Sequence, residues 1–85
     1  MAETPATRDE LLIALALARS GNWDRAHRIV QSHETDPMAC WLHAVLHKID
    51  GDAENARYWY ARSPHRYDGF ADPEAEFAAI AAALG

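Results

Sequence analysis

Residues 36–60 read DPMACWLHAVLHKIDGDAENARYWY and predict a helix, a one-glycine corner and a second helix. Asp36 is a preferred N-cap residue, and Pro37 suits the first helical position, where a backbone N–H would have no partner in any case. Gly51 tolerates the left-handed conformation that commonly ends a helix, and Asp52 can cap the helix that follows. The stretch therefore predicts a helical hairpin.

The same signals recur on both sides of this hairpin and predict three further helices. Thr7 with Glu10 matches a capping box, Gly21 ends the helix that it opens, and Asn22 can cap the next one. Because no run alternates with period two, we predict an all-α fold. One domain, residues 1–85, is expected to comprise a loose tail (1–6), a first hairpin (8–33), a second hairpin (37–63), a loop (64–72) and a C-terminal capping helix (73–84).

The composition excludes several classes of protein. A net charge of -5 disfavours binding to nucleic acid or to an anionic membrane surface, because both carry negative charge. The longest apolar run, residues 11–18, is far shorter than the roughly 20 residues of a membrane span. Cys40 is the single cysteine, so no internal disulfide forms within the chain. With no signal-peptide pattern at the N-terminus, a cytoplasmic location is expected.

An internal repeat becomes visible when the chain is aligned with itself at an offset of 30 residues, which places Gly21 on Gly51 and Ala26 on Ala56. The unit resembles the tetratricopeptide family of helical hairpins and its Sel1-like relatives, in which a small residue in the second helix permits close packing. Pro37 and Pro64, after the two hairpins, match the proline of that family. The resemblance implies a right-handed stack of two hairpins.

This resemblance also implies a role, because such stacks bind proteins on a concave face formed by their first helices. We therefore expect a non-enzymatic protein-interaction or oligomerisation module. The residues expected on that face are Leu11, Leu15, Met38, Trp41, Val45 and Lys48. The second hairpin is also similar to a set of small bacterial and fungal proteins with a WLHxxLHxxEGDxxNAxYWY-like run, in which Asp50 here replaces the Glu. That second resemblance implies a fold and carries no assigned activity.

His43 and His47 form the alternative candidate site, because two histidines one helical turn apart can ligate one metal ion. Ala44 stands where a zinc protease has its glutamate, which excludes that class. The alternative function is thus a small-ligand or metal-binding protein centred on His43 and His47, with Tyr58 nearby. Other candidate ligands are Asp50, Glu54 and His65. If the pair is structural, we expect hydrogen bonds to Asn55, Tyr58 or a carboxylate.

The orientation of the two histidines stays open at this stage. A helical wheel places them opposite the apolar side of their helix, whereas the repeat alignment places them against the next helix. Both readings hold if this helix is covered on two sides.

Other chemistry finds less support in the sequence. Residues 57–67, RYWYARSPHRY, interleave basic and aromatic side chains and could stack on bases, but the acidic chain disfavours nucleic acid. Cys40 lies within a helix without an activating helix start, and no serine stands in a glycine-flanked elbow. We therefore predict no enzyme and no cofactor.

The first predicted helix is apolar around most of its circumference, more than so short a chain is expected to cover. We therefore expect a homodimer through this helix and the neighbouring face of the third helix.

Overall fold

Five α-helices and no strand form the structure of residues 6–85, the part of the chain that the computed structural model describes. The all-α prediction is confirmed. The helices are α1 (Arg8–Arg19), α2 (Trp23–Val30), α3 (Pro37–Ile49), α4 (Ala53–Tyr60) and α5 (Pro73–Leu84). The closest helix pairs are α1 with α2 and α3 with α4, an arrangement compatible with the two predicted hairpins. None of the described helices has the length and apolar character needed to cross a membrane.

Most helix starts are capped as the sequence predicts. Thr7 and Glu10 form the complete capping box of α1, and the Asp36 carboxylate accepts from the amides of Met38 and Ala39 at the start of α3. Asn22 precedes α2 but its side chain makes no capping hydrogen bond, so that prediction is wrong. Of the predicted loose tail, residues 1–5 lie outside the described residues, while the Ala6 amide donates to Asp36 at 3.2 Å.

The two glycine corners have the same geometry, which makes the 30-residue repeat a structural one. Gly21 and Gly51 have φ values of +85° and +83°, where a side chain would be strained. The next amide returns to the helix in each case: Asn22 donates to the Leu17 carbonyl at 2.8 Å, and Asp52 donates to the His47 carbonyl at 2.9 Å. These bonds define a Schellman motif at each corner. The paired alanines, at 26 and 56, are both fully buried.

Helix α5 lies against α1 and α3, the first helices of the two hairpins. It runs antiparallel to α1, since Arg19 pairs with Glu74 at 2.7 Å while Arg8 donates to the Leu84 carbonyl at 2.7 Å. The Arg8 contact places a cation at the negative end of α5, where helix carbonyls lack partners. Helix α5 thus packs against both α1 and α3 and does not form a further hairpin.

The position of α5 corrects the predicted partner-binding face. Of the six residues that the sequence placed on this binding face, four are buried within the chain. The other two, Met38 and Lys48, are partly buried. The prediction of an exposed face is therefore wrong for these four residues, because α5 and the loop before it pack over α1 and α3. The four are Leu11, Leu15, Trp41 and Val45.

A buried carboxylate fastens α5 to the rest of the fold. Glu76 is fully buried and accepts hydrogen bonds from Trp41 Nε1 at 2.9 Å and from the Tyr60 hydroxyl at 2.7 Å. Burial, together with the bond to Glu76, raises the pKa of Tyr60, which keeps its proton available for donation. Lys48 Nζ lies 3.4 Å from the carboxylate and also donates to the carbonyls of Tyr67 and Phe70, each at 2.7 Å.

We predict that Glu76→Ala strongly destabilises the domain. The change leaves Lys48 and two buried donors without their acceptor, and breaking a buried ion pair costs about 3 to 5 kcal/mol. At about 4 °C or more per kcal/mol for so small a domain, the melting temperature should fall by more than about 10 °C. Thermal unfolding followed by circular dichroism measures this.

Glu74→Ala is the matched control, because it removes a carboxylate of the same helix whose side chain is 66% exposed. An exposed ion pair contributes about 1 kcal/mol at most. Equal melting temperatures for the two variants would show that Glu76 does not fasten α5.

Candidate functional site

Three histidine rings meet between α2 and α3. His43 and His47 lie one turn apart on α3, and His27 projects toward them from α2. The ring centroids are separated by 4.8 Å (27 to 43), 5.0 Å (43 to 47) and 5.1 Å (27 to 47), so the rings form a nearly equilateral triangle. One nitrogen from each ring lies within 4.8 Å of the other two. We call these three residues the histidine cluster.

Two tryptophans, one from α2 and one from α4, pack against the cluster. Trp23 stacks on His27 with centroids 4.6 Å apart, and its indole N–H donates to the Leu46 carbonyl of α3 at 2.7 Å, which ties α2 to α3. Trp59 of α4 stacks on His43 at 4.0 Å, and its indole N–H donates to Asn55 at 3.1 Å. The rings are therefore positioned by contacts outside the cluster.

The hydrogen bonding of the cluster is incomplete. His27 Nε2 and His43 Nε2 lie 3.1 Å apart, so one ring donates a proton and the other accepts it. The Nδ1 atoms of His43 and His47 are buried without a hydrogen-bond partner among the described residues. A buried polar atom without a partner costs about 1 to 3 kcal/mol and calls for an explanation.

The predicted partners of the two histidines are not the observed ones. Tyr58 is half exposed, with the Arg62 guanidinium 3.8 Å from its ring centre, so it takes no part in the site. Asn55 is bonded to Trp59 and Asp52 instead of a histidine. The wheel-based reading, with both histidines on an outer side, is also wrong, because each is less than 10% exposed.

The environment keeps these rings neutral. Burial, with smaller contributions from His27 and His47, lowers the pKa of His43 to about 3. Burial also lowers the pKa values of His27 and His47 below the ordinary value. At pH 7 each imidazole is therefore neutral and has one unprotonated nitrogen, the form that binds metal ions.

The separations suit a shared ion. Zinc binds imidazole nitrogen at about 2.0 to 2.1 Å, which places two nitrogens of a tetrahedral site about 3.3 Å apart. The 3.1 Å between the Nε2 atoms of His27 and His43 is close to that value. The nitrogen of the third ring lies within 4.8 Å of the other two, so it would move closer by at most about 1.5 Å to share a tetrahedral ion.

His27 is the ligand that sequence reasoning missed. The sequence suggested Asp50, Glu54 or His65 as a third ligand, but the cluster contains none of them, and His65 stacks on Trp41 at 3.7 Å. The available signal was the spacing of four residues between Trp23 and His27, which places His27 beside the buried stripe of α2. Its pairing with α3 depends on tertiary packing.

An open cavity of about 250 Å³ adjoins the cluster. Besides the three histidines, its lining residues are Gln31, Glu34, Asn55 and Trp59. An ion can therefore reach the rings from solvent, and space remains beside them for a further ligand. A larger cavity, about 400 Å³, lies between α1 and α2, but no cluster of metal-ligating groups lines it among the described residues.

No protein-family model, curated protein or solved structure matches this chain. The tetratricopeptide resemblance therefore stays a prediction.

We predict that the cluster does not contribute to stability through its nitrogen atoms. In metal-free protein, His43→Phe should keep the stacking on Trp59 and remove the buried Nδ1 that has no partner. It also removes the Nε2 contact with His27, whose half-buried ring can bond to water instead, so the melting temperature should equal or exceed that of the wild type. His43→Ala, which removes the ring and leaves a cavity, should melt several degrees lower. Circular dichroism melts with a chelator present, at pH 7, compare the three proteins. A fall for His43→Phe as large as that for His43→Ala would mean that the nitrogens stabilise the fold.

Proposed function

We propose that this domain binds a divalent transition-metal ion through His27, His43 and His47. The carrying observation is the convergence of three imidazoles from two helices, each with one nitrogen within 4.8 Å of the other two. The neutral state of the rings supports the proposal, because an ion then displaces no proton. Access through the adjoining cavity supports it further.

The donor set narrows the choice of metal. Imidazole nitrogen suits zinc, copper, nickel and iron, whereas magnesium and calcium prefer oxygen ligands. Cys40 is not a further ligand in this arrangement, because its thiol is buried and donates to the Glu34 carbonyl at 3.1 Å. Three protein ligands leave one position of a tetrahedral ion for water or for a small exogenous ligand. We assign no reaction to the site.

The protein-interaction role expected from the sequence also stays a proposal. We place it on the surface formed by α1 and α2 and not on the face that the sequence predicted. The side of α1 and α3 on which the sequence predicted partner binding packs against α5, whereas the surface of α1 and α2 exposes Ile13. A tetratricopeptide-like classification and a cytoplasmic location also stay proposals.

Titration of metal-free, untagged protein tests metal binding. Calorimetry with zinc, nickel and copper should give one ion per chain with a dissociation constant well below about 100 µM, and magnesium should not bind. At a free ion concentration of 100 times that constant, the free energy of unfolding should rise by about 2.7 kcal/mol. Copper should also quench tryptophan fluorescence, because Trp23 and Trp59 stack on two of the ligands.

Three variants separate this site from nonspecific binding. His27→Ala removes a half-buried ligand. The metal affinity should fall by more than the roughly 10- to 100-fold that is typical when a residue contacting only a ligand is replaced. His65→Ala removes a histidine outside the cluster, and Gln31→Ala alters the cavity wall without removing a ligand of the cluster. Both controls should bind like the wild type. Unchanged affinity of His27→Ala, or no ion bound by the wild type, would overturn the proposal.

A further inference from the structure

The surface between α1 and α2 has a groove with an apolar centre and polar ends, and no other described helix covers it. We call it the α1–α2 groove. Ile13 of α1 is 56% exposed at its centre, and the partly buried Leu17 and Ile29 extend the apolar surface on either side. The cavity along it measures about 400 Å³. Apolar side chains that share an exposed face often mark an interaction site.

Charges of opposite sign lie at the two ends of this groove. Glu10, in the first turn of α1, is near the end of α2, since it lies 3.0 Å from His33. Arg25, in the first turn of α2, is near the Gly21 corner at the other end, because α1 and α2 are antiparallel about that corner. The ends are about 10 Å apart, the length of the seven helical rises from Glu10 to Leu17. Ile13 and Ile29 lie between them.

This order makes the groove complementary to itself. We propose that a second copy of this chain binds the groove about a two-fold axis that passes near Ile13. A two-fold axis reverses the direction of the groove, so it places the apolar centres together and brings Glu10 of each copy to Arg25 of the other. The Glu10 carboxylate contacts Thr7 through one oxygen and His33 through the other, yet its side chain is 44% exposed, which leaves carboxylate surface for the second copy.

The arginines beside the groove favour a second copy of this chain over an unrelated basic protein as the partner. Arg25 and Arg28, two of the eight Lys and Arg residues, border the groove in a chain of net charge -5. Their guanidinium groups pair with carboxylates, and the second copy provides the Glu10 carboxylate at the position that faces Arg25.

The sequence predicted a homodimer through the first helix and a face of the third. Because that face of α3 is buried, the interface proposed here consists of α1 and α2. It deepens the interaction role proposed above and is independent of the histidine cluster.

Molar mass measured against concentration tests the inference. Light scattering or sedimentation equilibrium from about 1 to 500 µM, which spans typical specific affinities, should show a monomer–dimer equilibrium for the wild type. Ile13→Asp should be monomeric throughout this range, because it places two carboxylates together at the axis. Ile49→Asp is the matched control: Ile49 is 45% exposed, lies at the end of α3 and is outside the groove. It should dimerise like the wild type.

A charge reversal tests the two-fold arrangement. Arg25→Glu should weaken dimerisation roughly tenfold, since both symmetric contacts become repulsive, and added salt should reduce the loss. Arg57→Glu makes the same change in net charge on α4 and should have a smaller effect. Circular dichroism confirms that each variant is folded.

Three outcomes would overturn the inference: a monomeric wild type at about 500 µM, an Ile13→Asp variant that still dimerises, or equal effects of the two charge reversals. His27→Ala should leave the dimer unchanged, so a failure of metal binding would be distinguishable from a failure of self-association.

Discussion

The buried carboxylate of Glu76 is the constraint on which the arrangement of this small domain depends. A charge removed from water is costly unless it is paired and hydrogen-bonded, and here Trp41, Tyr60 and Lys48 provide those partners from α3 and α4. The same lysine binds two carbonyls of the loop before α5, so helix and loop are fixed together. Helix α5 therefore packs against α1 and α3, on the side where the sequence predicted a partner-binding face.

The histidine cluster contrasts with this network in how well its polar atoms are satisfied. Both oxygens of Glu76 have contacts with donors, whereas His43 and His47 each bury a nitrogen that has no partner among the described residues. Unsatisfied buried polar atoms are rare in folded proteins, and functional sites are where such local departures are expected. The first cluster thus holds the fold together, whereas the second is where we propose that a ligand binds.

The sequence predicted the elements of the fold far better than the side-chain contacts between them. Caps such as Thr7 and corners such as Gly51 act within a few residues, so their physical chemistry is readable from the sequence alone. Glu76 was not predicted to be buried, because carboxylates are mostly exposed and its partners lie 16 to 35 residues away. His27 was missed for the same reason: its nearest ligand partner, His43, lies 16 residues away in sequence. Local signals locate helices, and only tertiary packing decides which side chains meet.

Helix α2 connects the two proposed sites. It has eight residues, too few for an isolated helix to be stable in water, so its order depends on tertiary contacts such as the indole bond from Trp23 to α3. Its inner side presents His27 to the cluster, and its outer side presents Arg25 and Ile29 to the groove. An ion that ties His27 to α3 would restrain the same short helix that forms half of the outer groove. Any effect of metal on self-association must then be matched by an equal effect of self-association on metal affinity, because coupling between two binding equilibria is reciprocal.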